Sequence, residues 1–447
     1  MKEGITGLID NIIQGPQDIR EAAACALSRI GEPAIDPLLT LLGNKDNQIR
    51  KSAVTALGEI GEKRLIEHLL PLISDMDDGV REQVAHALGK IGDVKAIGPL
   101  TGLFRDRNVS IRIASVDAIS RIGNPAVDTL IRLLGDPNES VRESSAHALG
   151  KIGDEKATGP LLQLLSDRNI YVRMASAQAL SKIGEPAIGP LIALLSDKND
   201  AVRESAVYAL GEMADMRSVP HIIKLVTDSH AFVRMAAAHA LGKIGDTRAV
   251  DPIIRLAKDR NVFVRMAAAH ALGKIGGVNA IEPLLALLSD DNLFVRMAAA
   301  NAFNKLGQMA LEPILRLLAS NDATVRRAAA QALGKIGDER AITPLILSLW
   351  DENEEVLIAA GEALEKIDPY WYARDATRQY LPYFSEALKK GGKHVKLYFI
   401  GILEKIGELG ISDIDVADIL KDYIKDEDKN IRLSTALALE KIKKNAR

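Results

Sequence analysis

Four of the chain's eight histidines stand at one place in a repeated word. The word is Phe263-Val264-Arg265-Met266-Ala267-Ala268-Ala269-His270-Ala271-Leu272-Gly273-Lys274-Ile275-Gly276. With Arg265 as position zero, His270 lies at +5, and His86, His147 and His239 take the same place behind Arg81, Arg142 and Arg234. A regular row of imidazoles invites metal-ligand chemistry. Glu82/His86 and Glu143/His147 are also i,i+4 neighbours, which ordinary surface pairing explains. A second row, at +9, is basic: Arg29, Lys90, Arg121, Lys151, Lys182, Lys243, Lys274, Lys305, Lys335 and Lys366. Such a row could meet phosphates. Each member also sits in the last turn of a helix, where a cation offsets the macrodipole. Acids (Asp93, Asp154, Asp246 and Asp338) follow three residues later, so a solvated helix end is preferred. No Walker loop, Cys-x-x-Cys, nucleophile elbow or dinucleotide fingerprint occurs. The expectation is no catalytic residue, no metal and no cofactor.

The element carrying these rows is a helix. At about 100° per residue, Val at −1, Ala at +3 and +6, Leu at +7 and Ile at +10 form one buried stripe. Asn or Asp at −4 is an N-cap: Asp46, Asp77, Asn108, Asn138, Asn169, Asn199, Asn261, Asn292 and Asp322. Glycine after Ile is the stop, at Gly31, Gly61, Gly92, Gly123, Gly153, Gly184, Gly245, Gly276, Gly307 and Gly337. Ala214 stands where Gly is expected, which predicts an altered turn there. A shorter helix with an early proline, as in Ala280-Ile281-Glu282-Pro283-Leu284, separates successive copies. The arginines at 20, 50, 81, 112, 142, 173, 203, 234, 265, 296 and 326 are spaced 30 or 31 apart. The longer form has one more residue between the helices, Gly92-Asp93-Val94-Lys95-Ala96 against Gly184-Glu185-Pro186-Ala187. Helical pairs at this period make an all-α, right-handed α-solenoid, a superhelix.

The pattern runs regularly over residues 1–367 and irregularly over 368–447. Residues 1–14 read as a first short helix, broken by Gly15-Pro16, and serve as a cap. After Gly337 the pattern loosens, Leu357 replaces the arginine, and aromatics gather at Tyr370, Trp371, Tyr372, Tyr380, Tyr383 and Phe384. These read as a thicker cap core, with a docking piece as the alternative. Apolar residues at 47%, only 4% of the chain aromatic, mean a core of Leu, Ile, Val and Ala. A net charge of −3 gives no strong field toward nucleic acid or membrane. The single cysteine, Cys25, rules out an intramolecular disulfide framework and fits a reducing compartment. With no signal-like start and no membrane-length apolar run, a cytoplasmic location is expected.

The chain resembles the HEAT-repeat superfamily, in particular the short HEAT-like repeats named after phycobilisome lyases. The motif is Asp at −6 with Val-Arg at −1 and 0: Asp75/Arg81, Asp106/Arg112, Asp136/Arg142, Asp167/Arg173, Asp197/Arg203, Asp228/Arg234, Asp259/Arg265 and Asp290/Arg296. An early proline and Ala-Leu-Gly-x-Ile-Gly complete it, over residues 15–367. The resemblance implies that the Asp and Arg rows hydrogen-bond along the loops of adjacent repeats, with weaker rungs where Asn44 and Ser320 replace Asp. It implies no single activity, since the family holds scaffolds, adaptors, DNA-binding enzymes, chromophore lyases and an iron hydroxylase. The hydroxylase's His-Glu pairs at +1 and +2 are here Glu82-Gln83, Glu143-Ser144, Met235-Ala236 and Met266-Ala267.

The face away from the core carries −2, +1, +5 and +8. It reads polar in most copies, as in Gly79/Glu82/His86/Gly89 and Ser140/Glu143/His147/Gly150. Four copies differ: Tyr171/Met174/Gln178, Phe232/Met235/His239, Phe263/Met266/His270 and Phe294/Met297/Asn301. Aromatic anchors beside adaptable methionines suit a partner. Packing between second helices is the competing explanation. The Tyr208 repeat interrupts the band. The expected function is a protein-binding scaffold or adaptor using the second-helix, concave face. One alternative is a lyase or chaperone-like subunit holding a tetrapyrrole or other small apolar ligand. Nucleic-acid binding along the lysine row is a third, less favoured.

Overall fold

A computed structural model describes residues 2–374, 381–409 and 416–445, in two compact units, Met1–Leu225 and Val226–Arg447. All regular structure among the described residues is helical. Each unit is an α-solenoid of helical pairs. The first unit opens with the helix Lys2–Gln14, ahead of the Gly15-Pro16 break. The second helix of each pair is numbered here in chain order. The first unit holds α1 (Gln17–Ile30), α2 (Asn47–Ile60), α3 (Asp78–Ile91), α4 (Val109–Ile122), α5 (Glu139–Ile152), α6 (Ile170–Ile183) and α7 (Asp200–Met213). The second unit holds α8 (Ala231–Ile244), α9 (Val262–Ile275), α10 (Leu293–Leu306), α11 (Ala323–Ile336) and α12 (Glu354–Ile367).

The caps explain these limits. At every −4 Asn or Asp named above, the side chain accepts a backbone N–H of the first turn. The stop glycines all take positive φ. Ala214 does not alter its turn. It is held left-handed at φ 54 and ψ 33 and still donates to the Leu210 carbonyl, as glycine would. Surrounding packing therefore overrides the strain of a β-carbon in this region, about 1–2 kcal/mol. The core stripe is buried as its period requires, with Val264, Ala268 and Leu272 fully so. Ile275 at +10, on the helix end, is only half-buried.

Position +8 departs from the expected face. Gly89 and Gly150 are buried, not outward. A β-carbon on Gly89 would lie 2.5 Å from the Cα of Ala118, and one on Gly150 2.6 Å from that of Ala179. Gly58, Gly242, Gly273 and Gly334 meet Ala87, Ala271, Ala302 and Ala363 in the same way. The alanine is always +6 of the following repeat. Where +8 is Ser28, Ser120, Ser181 or Asn304, the following second helix keeps less contact. These four copies are also the ones with the shorter linker, so each unit contains close and wide junctions.

The arginine rungs follow the same division. Arg50, Arg81, Arg142, Arg234, Arg265 and Arg326 reach Asp75, Asp106, Asp167, Asp259, Asp290 and Asp351, each 25 residues on, at 2.6–2.9 Å. Most of these pairs are bidentate, the stronger geometry for a guanidinium and a carboxylate. The rung weakens at Asn44, where Arg20 has only Asp46 at 3.9 Å, and at Ser320. It is also missing at Asp136 and Asp197, where the acid is present. The cause is the linker: one residue fewer leaves that acid out of register, and Arg112 and Arg173 donate to their own loop carbonyls. Burial works upward on Asp167 and Asp259. Hydrogen bonds from Arg142 and Arg234, and from the backbone N–H groups of Asn169 and Asn261, outweigh it and hold both carboxyls below their usual range. Depressed carboxylates stabilise fully above their unfolded pKa, and that stability drains as pH falls through the folded value.

Beyond α12 most of the described aromatics are core. Trp371, Phe384 and Phe399 are buried, and Phe384 lies 5.7 Å from Trp350 and 5.2 Å from Phe399. Tyr370 is exposed. Tyr380 lies outside the described residues, as does the side chain of Tyr383.

Three substitutions test this account by chemical denaturation. Gly89→Ala is expected to cost about 1–3 kcal/mol through overpacking against Ala118. Gly98→Ala, where nothing lies within 4 Å of the new β-carbon, should be neutral or gain up to about 1 kcal/mol. Ala214→Gly should stabilise by about 1 kcal/mol by relieving its positive φ.

Candidate functional site

The expected band lies on the outer turns of the second helices. In the second unit α8, α9 and α10 pack in succession, each offering one phenylalanine at −2. Phe232, Phe263 and Phe294 are 45%, 56% and 62% exposed. Their helices hold them there because Val at −1 points inward and the capping Asn or His precedes the first turn. Met297 is 53% exposed, whereas Met235 and Met266 are half-buried. The junction type explains this: α9 and α10 close over the +1 side chain of the preceding helix, and the wide α10/α11 junction leaves Met297 uncovered. His239 and Asn301 are exposed and His270 half-buried at +5. In the first unit Tyr171 and Met174 are exposed on α6, which also precedes a wide junction. There Gln178 donates from Nε2 to the Tyr208 hydroxyl of α7 at 3.3 Å.

Wide junctions also leave grooves. One of about 820 Å³ lies between α1 and α2, and another of about 300 Å³ between α4 and α5. A third, of about 630 Å³, lies between α10 and α11 and is lined in part by Met297 and Asn301. Exposed Val109 and Ile113 on α4, Ile170 on α6 and Leu293 on α10 extend the apolar surface. The sequence reading missed these. Val109, Ile170 and Leu293 stand directly after the N-cap, at −3, and Ile113 takes the +1 place of the methionines; those positions were the available signal.

The histidine row has no carboxylate shell suited to a metal. Among the described residues, no group of three or more His, Cys, Asp or Glu could hold an ion. Burial, then the charges of Lys182 and Lys151, push the His147 imidazole down, and burial pushes the Glu143 carboxyl up. Their 3.9 Å approach is a weak contact between groups that both resist charging. Burial also lowers His270, followed by Lys305 and Lys274, and lowers His239, followed by His270 and Lys274.

Two members of the lysine row find acidic partners. Lys90 pairs with Glu59 and Lys151 with Asp117, both on the preceding second helix. Asp93, Asp154, Asp246 and Asp338, three residues after the row, cap the following short turns. No helix among the described residues is long and apolar enough to cross a membrane.

Paired helices with Asp–Arg loops, stacked through their second helices, define an α-solenoid repeat protein. The pattern of HEAT repeats matches residues 5–79, 35–119, 100–181, 188–259, 233–304 and 295–365, so the chain belongs to the HEAT-repeat family. The PBS lyase HEAT-like repeat matches residues 172–197. None of the curated proteins compared with the chain matches it. Among solved structures, a chain from the study of Kap95p binding and the switch loops of RanGDP is 12% identical at a TM-score of 0.50. That likeness covers 99% of this chain and 72% of the other, and shows the fold. Kap121p bound to Ste12p is 14% identical at a TM-score of 0.49, covering 100% of this chain and 60% of that one. YibA of Escherichia coli is 25% identical at a TM-score of 0.38, over 58% of this chain and 99% of its own.

Because the outer rings touch little, Phe294→Ala should cost less than about 1 kcal/mol, whereas Leu272→Ala should cost about 2–5 kcal/mol. Chemical denaturation of both variants checks this. Histidine NMR should place the His239 and His270 midpoints below the ordinary imidazole value, and Lys274→Ala should raise both. Folding favours the neutral rings, so their contribution is full above the unfolded pKa and declines as pH falls below it.

Proposed function

We propose that this protein is a protein-binding scaffold or adaptor whose docking face is formed by the second helices, centred on α8, α9 and α10. One observation carries the reading: three successive helices each expose a phenylalanine at the same turn, with methionine one turn on. Water gains nothing from three such rings, and contiguous exposed apolar surface of this kind marks interaction sites. A rigid solenoid presents the rings at fixed spacing, so little conformational entropy is lost when a partner covers them. Tyr171, Met174 and Gln178 add an equivalent row within the first unit. A chain from the study of Kap95p binding and RanGDP shares the fold. That supports a partner that is itself a protein.

The test is affinity capture on the full-length chain, with partners identified by mass spectrometry and affinities measured with the purified partner. Phe263→Ala and Phe294→Ala should each weaken binding by about 1 kcal/mol or more, roughly fivefold, with helicity and melting unchanged. Unchanged affinity in the double variant would remove the face from the account.

A further inference from the structure

The groove between α10 and α11 has two unlike walls. Leu293 and Met297 on α10 are more than half exposed and give it an apolar side, with Asn301 next to them. The opposite wall is Arg327, Gln331 and Lys335 of α11, and Lys366 closes the end from α12. The cations outnumber the acids free to answer them. Asp290, at the rim, is already held bidentate by Arg265. Arg296 is spent on the carbonyls of Asp290 and Asp291. Arg327 donates to Glu355 through Nη1, while its buried Nε has no partner. Glu362, the other acid of the groove's lining, lies 3.9 Å from Lys366 on the same helix. Lys335 is exposed, and no described carboxylate pairs with it.

The groove exists because of the local sequence. Asn304 at +8 and the short Gly307-Gln308-Met309-Ala310 linker set α11 away from α10, and Arg296 donates to its own loop carbonyls rather than across the junction. We propose that this groove takes a short extended segment of a partner protein, with a bulky apolar side chain flanked by aspartate or glutamate. The apolar residue covers Leu293 and Met297. The carboxylates meet Lys335 and Lys366. A basic segment would face Arg327, Lys335 and Lys366, and an apolar one would leave them desolvated, a cost of buried unpaired charge. The volume of about 630 Å³ suits a few side chains, and the groove is continuous with the aromatic band through Met297. The inference rests on the scaffold reading and names the chemistry of the segment that docks at one end of its face.

Selection from a random-peptide phage library on the full-length protein tests it. Enriched peptides should be net acidic with at least one Phe, Leu, Ile or Met. A synthetic copy should bind in fluorescence anisotropy and weaken with salt. Lys335→Glu with Lys366→Glu should weaken that peptide about tenfold or more, and Met297→Ala about fivefold. Both lysines are exposed, so the double variant should keep its circular dichroism and melting. Enrichment of basic or neutral peptides overturns the proposal, as does no enrichment, or acidic peptides that bind the double variant unchanged. If partner capture still depends on Phe263 and Phe294 after such a result, the groove is wrong and the face stands. If neither holds, both fall.

Discussion

The close approach of one second helix to the next is the constraint on which the rest depends. At Gly58, Gly89, Gly150, Gly242, Gly273 and Gly334, the backbone of the following helix comes so near that no β-carbon fits. Glycine inside a helix costs about 1 kcal/mol in propensity. The chain accepts that cost because the close junction brings two alanine-faced helices together and places an acid within reach of the preceding arginine. Packing and ion pairing thus depend on one geometry. Where Ser or Asn takes the place, both change together.

That alternation links stability to function. Close junctions seal the second-helix surface, half-covering Met235 and Met266. Wide junctions open it, exposing Met174 and Met297 and leaving grooves beside α1, α4 and α10. The same short linkers that give up an Arg–Asp rung therefore create the concave features of the surface. Rungs are partly buried and stabilise; grooves expose apolar and charged side chains between the helices.

Much of this was legible in the residues. The helical period, the −4 caps, the stop glycines and the outward aromatics follow from local rules that neighbours do not override. The burial of Gly89 and Gly150 was not legible, because a helical wheel drawn on one helix shows no neighbouring helix. The missing rungs at Asp136 and Asp197 were hidden for a related reason: the right residues are present, and only the linker length, read against the distance between repeats, removes the contact. Ala214 was misread because glycine's preference for positive φ is a preference, which the flanking helices are able to overrule. The apolar −3 residues went unnoticed because they fall beside the N-cap, where the periodic stripe has not begun.

Site-specific photo-crosslinking tests the central claim most directly. A benzophenone amino acid placed at Phe263 or Phe294 should cross-link the bound partner. The same group at Leu347, equally exposed but on the first helix Ile342–Ser348, should not. Cross-links from position 347 with none from 263 or 294 would place the partner on the other helices and contradict the account.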